Sequence, residues 1–398
     1  MLVKELVSFS KLNNKKYSLQ FLPYSLLEIS KLGKIKFKEK NLKTSIIIDI
    51  IHNLILKYFF KKDNSFKLNA TVLKEKYGHL YNYYIQFLIE NKIIFLEKNY
   101  VKGKNSRIYS ISQDIIKGEI IRYKNFDRVL LKKYLNRQYQ FQIDRNDIIN
   151  RDIKSKLISD LYSVRIQYDK SIFYLDSLKM NEHDTSIYDR NRYSVEAINE
   201  NHIFYHFDNY GRMHSNFTIL KSFIRKNCLL IDDEETSEID INNSQPLFLL
   251  KLMLENPYKI DKMELELFSI LVRNGNYYQY LIDNLKIIDK SKAKELTYKV
   301  FFGKNHFNSK YDKYFEKLFP TIHKFIKFYK NENDDYKSLS YTLQRMESNL
   351  IFNDVVNTIM IIYPEVKIVT IHDSIIFQKK YYNKILDLFN SKIMSIFD

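Results

Sequence analysis

The chain has 398 residues, 45% of them hydrophobic, and 64 Lys+Arg against 47 Asp+Glu give a formal net charge of +17. That length and apolar content exclude a disordered chain and suggest two or three structural units. The charge attracts polyanions, nucleic acid first, although abundant Lys, Ile, Asn, Tyr and Phe beside only 7 Gly and 5 Pro also fit a low-GC coding bias. The positions of the charges must therefore discriminate. A single cysteine, Cys228, excludes an intramolecular disulfide and a thiolate-cluster zinc site, which fits a reducing compartment. The first 16 residues carry Lys4, Glu5, Lys11, Lys15 and Lys16 and no signal-peptide apolar run. The run from Ile46 to Leu56 is broken by Asp49, His52 and Asn53, so no membrane span is expected. The expectation is a soluble, cytoplasmic protein with no membrane partner.

In chain order, residues 1–43 form an N-terminal extension. Residues 44–115 then show three apolar-periodic helical runs, at 46–58, 68–77 and 79–90, followed by a strand at Ile93 to Leu96, a polar tip and a return strand at Arg107 to Ser110. The order resembles a winged helix. Its ribbon carries Lys98, Lys102, Lys104 and Arg107 with no acidic residue among them, which makes these four candidate nucleic-acid contacts. Packing of the ribbon against a neighbour, or a protein contact, is the other reading. Residues 116–200 read as a long, charged, mostly helical region, and the chemistry-bearing signals concentrate in 201–398.

Four constellations carry that chemistry. In Asp208-Asn209-Tyr210-Gly211-Arg212, Gly211 permits a turn and Arg212 offers a planar fork suited to phosphate; taken alone this also fits an ordinary satisfied loop. In Glu238-Ile239-Asp240-Ile241-Asn242-Asn243-Ser244-Gln245-Pro246, the alternation marks a strand ending near Asp240, and Pro246 opens a helix. The acidic run 232–235 before it reads as solvated surface. On a helix from Asp289 to Gly303, Lys290, Lys294, Tyr298 and Phe301 share one stripe, suited to a triphosphate at one end and a base at the other. An amphipathic helix with solvent-reaching lysines, capped by Gly303, is the competing reading. Finally, Val369 to Phe377 reads as strand-turn-strand with Asp373 at the tip, preceded by a helix from Gln344 to Ile362. A carboxylate between Ile371 and Ile375 must meet a cation, donors or water. If Asp240 and Asp373 lie together, either a raised pKa or a divalent metal must resolve their repulsion, and two metals on such a pair support phosphoryl transfer. Two unrelated surface aspartates remain the alternative.

Taken in order, these pieces resemble the A-family polymerase superfamily, which joins A-family DNA polymerases to the single-subunit RNA polymerases of phages and mitochondria. The resemblance covers 193–377. Asp208, Gly211 and Arg212 look like its T/DxxGR element, in the Asp form of the RNA enzymes; Asp240 matches motif A; Lys290, Lys294 and Phe302-Gly303 match motif B; His372-Asp373-Ser374 matches motif C in its RNA-enzyme form. Lys290 stands where the family has arginine, Phe302 where the RNA enzymes have tyrosine, and Pro246-Leu247 follow Gln245 where the DNA enzymes carry a glutamate.

The resemblance implies an α+β, helix-rich right-hand polymerase. A winged-helix-like unit would be followed by a helical thumb-like region at 116–200 and a small antiparallel palm at 201–398, with fingers inserted at about 255–340. It implies Asp240 and Asp373 as ligands of two Mg²⁺ (or Mn²⁺) ions, and Lys294, Lys290, Tyr298, Phe302 and Gly303 around the incoming nucleotide. His372 would orient the primer end or backbone, and Arg212, His214 and Gln245 would lie along the nucleic acid. The implied partners are a DNA template, nucleoside triphosphates and an RNA or DNA product strand, handled by a monomer without a proofreading exonuclease. DNA-directed RNA synthesis is favoured over DNA synthesis. A catalytically inactive nucleic-acid-binding protein and a two-metal nuclease are the other classes. A phage or plasmid origin suits so small a polymerase.

Overall fold

The computed structural model describes residues 15–61, 64–100, 106–143, 149–179, 185–305, 309–332 and 335–397. The chain is mixed α+β, with helices predominating and small antiparallel sheets. It divides into two compact units, one formed by 1–144, 164–205 and 215–230, the other by 145–163, 206–214 and 231–398.

In the first unit, strand Ser18–Pro23 pairs antiparallel with Ile120–Asn125, and helix Thr44–Lys61 packs beneath. The polar residues that interrupt this helix's apolar run form a satisfied buried network. Asp49 accepts from Gln20 Nε2 at 2.7 Å and Tyr77 Oη at 2.6 Å and pairs with Lys76 Nζ at 2.7 Å. His52 Nδ1 accepts the Phe21 N–H at 2.9 Å, and burial pulls its pKa down to about 4, so it stays neutral. Helices Ala70–Tyr77 and Tyr81–Glu90 follow, with Asn69 capping the first through the N–H groups of Thr71 and Val72. A three-stranded antiparallel sheet places Ile108–Ile111 between Ser65–Lys67 and Ile94–Lys98.

The second unit is built on strands Glu234–Asp240, Ser374–Gln378 and Val369–Ile371, with Ser374–Gln378 in the middle. Buried Asp160, on helix Arg151–Leu161, pins the approach to this sheet. It accepts the Ile368 N–H at 2.9 Å, while Lys156 bridges Asp160 at 2.5 Å and the Val366 carbonyl at 2.8 Å. Helix Ser244–Glu255 is buried over most of its length. Between it and the 369–378 hairpin lie helices Lys262–Arg273, Tyr277–Leu285, Lys290–Phe302, Lys310–Leu318 and Pro320–Glu332, centred on edge-to-face aromatic packing of Phe268 with Tyr277 and Phe319. The helix expected from Gln344 to Ile362 is not uniform. Ser338–Asn349 is α-helical, Leu350–Val356 widens into a π-helix, and Asn357–Ile362 returns to α.

Candidate functional site

The second unit brings the main sequence signals together at one end of its sheet. Val369–Ile371 and Ser374–Gln378 pair with Ile371 opposite Ser374, so His372 and Asp373 form a two-residue turn. His372 takes φ 53°, a left-handed conformation that histidine adopts more readily than β-branched residues. On the other side of Ser374–Gln378, Asp240 lies directly opposite Ser374, and the Ile241 N–H donates to the Asp373 carbonyl at 3.1 Å. Two aspartates distant in sequence thus meet at adjacent strand ends. Ser374 Oγ donates to Glu238 at 3.0 Å on the same sheet face.

Asp373 is half-buried, and burial, reinforced by the charges of Glu347 and Asp240, pushes its pKa up to about 7. Glu347 was not among the residues singled out from the sequence. It is 1% exposed and takes four donors. Oε1 receives Arg212 Nε at 2.9 Å and Nη2 at 2.5 Å; Oε2 receives Ser244 Oγ at 2.9 Å and Gln245 Nε2 at 2.6 Å. A signal was present: counting from Leu339 and Leu343 in steps of four puts position 347 on the buried face of its helix. A carboxylate at that phase must have partners.

The Asp208–Arg212 turn is self-satisfied. Asp208 Oδ1 accepts the Tyr210 and Arg212 N–H groups at 2.9 and 3.0 Å, and Oδ2 pairs with His214 Nε2 at 2.8 Å. Burial alone would raise the Asp208 pKa, but these hydrogen bonds outweigh it and hold the carboxyl below its usual range. Gly211 sits at φ 85°, which glycine supplies without steric cost. His214 stacks on His206 at 4.7 Å and meets the His372 ring edge-on at 5.5 Å, so both histidines expected near the nucleic acid do come together. The structure directs Arg212 and Gln245, expected along the nucleic acid, inward to Glu347 instead; the Arg212 side chain is 18% exposed and Gln245 is buried. Leaving Glu347 charged and unpaired would cost more than exposing either group returns.

Helix Lys290–Phe302 begins at Asp289, whose side chain accepts the Lys292 N–H at 2.8 Å, and ends at Gly303. Lys290, Lys294 and Tyr298 lie on its exposed side. Phe301, expected on that stripe, is fully buried; the exposed face instead ends in Tyr298 stacked on half-buried Phe302 at 5.5 Å. Steps of three and four both stay near one face of a helix, so it is tertiary packing, with the Phe301 ring centroid 6.0 Å from that of Phe315, that decides which aromatic turns inward. The Lys294 ammonium lies 5.7 Å from the Tyr278 ring centroid. Burial, then the charges of Asp373 and Glu347, raise the Tyr298 pKa, which places its phenol in the field of the aspartate cluster. A Cβ at Gly303 would run into the Lys299 carbonyl oxygen. Buried Lys330 closes this helix end by donating to the carbonyls of Val300 at 2.7 Å and Gly303 at 2.9 Å.

Of the ribbon cations, Lys98 and Arg107 are exposed in the first unit, and Lys102 and Lys104 lie outside the described residues. The exposed face of Tyr81–Glu90 offers Asn82, Gln86 and Glu90 and no cation.

No protein-family model matches the chain, and no curated protein matches it. Among the described residues no group of three or more His, Cys, Asp or Glu is arranged to hold a metal ion, and no helix is long and apolar enough to cross a membrane. Both oxygens of Glu347 are already engaged, and Asp240 and Asp373 are the two candidate hard-oxygen donors that meet at the sheet end. Two carboxylates completed by water and substrate phosphate suit Mg²⁺, which seldom uses an all-protein cage. Burial first, and then the charges of Glu347 and Asp240, disfavour the Asp373 carboxylate, and a divalent cation bound to it would offset that cost.

Proposed function

We propose that the second unit is the catalytic module of a template-directed nucleic-acid polymerase, with DNA-directed RNA synthesis favoured over DNA synthesis. The observation that carries this reading is the meeting of Asp240 with the Asp373 turn at adjacent strand ends, in one electrostatic cluster with Tyr298 of the Lys290–Phe302 helix. Mg²⁺ bound there would supply activation of an attacking hydroxyl and stabilisation of the leaving oxygen. The remaining roles belong to the chain. Asp240 and Asp373 hold the cation; Lys294, aided by Lys290, neutralises triphosphate; Tyr298 and Phe302 present a stacked aromatic surface for base and sugar; His372, backed by His214, borders the end of the product strand. Positioning and charge neutralisation suffice, and no covalent intermediate is needed. The Asp208-Gly211-Arg212 and His372-Asp373-Ser374 elements support the RNA product.

Primer-extension and de novo synthesis assays with Mg²⁺, comparing NTPs with dNTPs, test the activity and the sugar together. Degradation of DNA without nucleotides, and no synthesis, would replace this reading with a nuclease. Lys294→Ala should lower kcat/KM for nucleotide by about 100-fold. An unchanged value would remove Lys294 from the triphosphate site.

The three helices and three-stranded sheet of the first unit support a winged-helix role in template binding. Because its third helix exposes no cation, the attraction is assigned to the ribbon. Replacing Lys98 and Arg107 together by alanine should reduce the slope of log K against log salt by about 2, one unit for each lost phosphate contact. An unaltered slope, read from DNA binding between low and moderate salt, would place the interface elsewhere.

A further inference from the structure

Arg212 is a strong, permanently charged donor, and it sits beside the carboxylate pair. Its guanidinium lies within electrostatic reach of both Asp373 and Tyr298. An arginine fork matches a carboxylate well, so left to itself it would compete with any metal ion for the aspartates. Two features prevent this. The Asp208 turn fixes the Arg212 backbone, and Glu347 occupies Nε and Nη2 together through one oxygen. The other Glu347 oxygen is held by Ser244 and Gln245, four and five residues beyond Asp240, so the carboxylate that restrains Arg212 is itself tied to the strand end that carries the aspartate.

We propose that Glu347 is a positioning residue that sequesters Arg212, keeping this internal cation off Asp240 and Asp373 and so leaving the pair open to a divalent metal. The inference rests on the polymerase reading only through the assignment of Asp240 and Asp373 as metal ligands. Glu347 does not touch substrate or metal in this role; it acts through Arg212. An E347Q substitution keeps the shape but removes the charge, and Arg212 then turns to the aspartates. Replacing both groups, R212Q/E347Q, removes the competing cation. Gln245 can follow, because its Oε1 is buried without a hydrogen-bond partner and a flip would offer it to the new amide.

Mn²⁺ binding to the full chain, measured by calorimetry and by electron paramagnetic resonance alongside thermal melting, tests this without requiring turnover. E347Q should bind Mn²⁺ at least tenfold more weakly than wild type, and R212Q/E347Q should recover to within threefold. A merely structural role predicts affinity that follows melting temperature across the set, and that result would overturn the inference, as would wild-type affinity in E347Q or no recovery in the double variant. Should E347Q fail to fold, R212Q/E347Q decides: with neither the internal cation nor its restraint present it should bind Mn²⁺ within threefold of wild type, and binding at least tenfold weaker would overturn the proposal. Wild-type protein that binds no Mn²⁺ would instead refute the metal assignment of Asp240 and Asp373, a failure distinguishable from that of the Glu347 role.

Discussion

Asp373→Asn is expected to abolish nucleotide incorporation while making the folded protein more stable above neutral pH. The functional half follows from the pairing of Asp373 with Asp240: an amide cannot replace an anionic oxygen toward Mg²⁺, and a loss of about 1,000-fold or more in kcat is expected with DNA affinity retained. An unchanged incorporation rate would sink the catalytic assignment. The stability half follows from linkage. The folded-state pKa of Asp373 is raised from 3.8 to about 7 by burial, by Glu347 and by Asp240. Between these values the folded chain holds a proton that the unfolded chain has released, so folding stability is full below about pH 4, falls as pH rises, and levels off above about pH 7. At about 1.4 kcal/mol per unit, the upper bound of the penalty is about 4 kcal/mol, and it vanishes when the carboxyl becomes an amide. In cation-free buffer, the stability of Asp373→Asn relative to wild type should therefore grow from pH 4 to 7 and then stay constant, as read from urea melts. Millimolar Mg²⁺ should narrow the gap at pH 8 by stabilising only the wild type. A pH-independent difference would mean that the carboxyl is not held in this cluster.

Gly303→Ala should cause the largest loss of stability at a position that makes no side-chain contact. The added methyl meets the Lys299 carbonyl, which already accepts the Gly303 N–H at 3.0 Å, so relief requires the backbone to move. Movement there draws the Gly303 carbonyl away from Lys330, which is 2% exposed and has its pKa pulled down to about 8 by burial. A buried ammonium deprived of an acceptor costs about 2–5 kcal/mol, so melting should fall by roughly 5–15 °C. The Lys290–Phe302 helix would lose its fixed end, and Lys294 and Tyr298 their orientation, lowering kcat/KM as well. Near-normal melting would show that the helix end tolerates a side chain and that Gly303 is only a convenient stop.

Much of the local structure was legible because it depends on neighbours in sequence. The alternation in Glu238 to Ile241 sets a strand. Asp289 and Gly303 bracket a helix by capping at one end and freedom from a Cβ at the other. The tight turn at His372-Asp373 follows from two apolar strands separated by two polar residues. The three helices and ribbon of the first unit are equally local.

The places where reading and structure differ depend on side-chain burial. Phe301 and Phe302 are adjacent, and periodicity alone does not fix which of them faces the core when lysines and aromatics share the helix. Arg212 and Gln245 look solvent-directed in a sequence, because nothing near them in the chain announces that a carboxylate 135 and 102 residues away needs their donors. Glu347 reads as a surface glutamate unless its helical phase is taken literally.

The sequence by itself therefore determined the strands, turns and caps, and the two aspartates worth pairing, since backbone preference and local hydrogen bonding act over a few residues. Only the tertiary structure decided that Asp240 and Asp373 meet at adjacent strand ends and that Arg212 is held by Glu347. The physical reason is that a buried charge selects its partners by proximity in space, and the cost of leaving it alone is set by the whole fold around it.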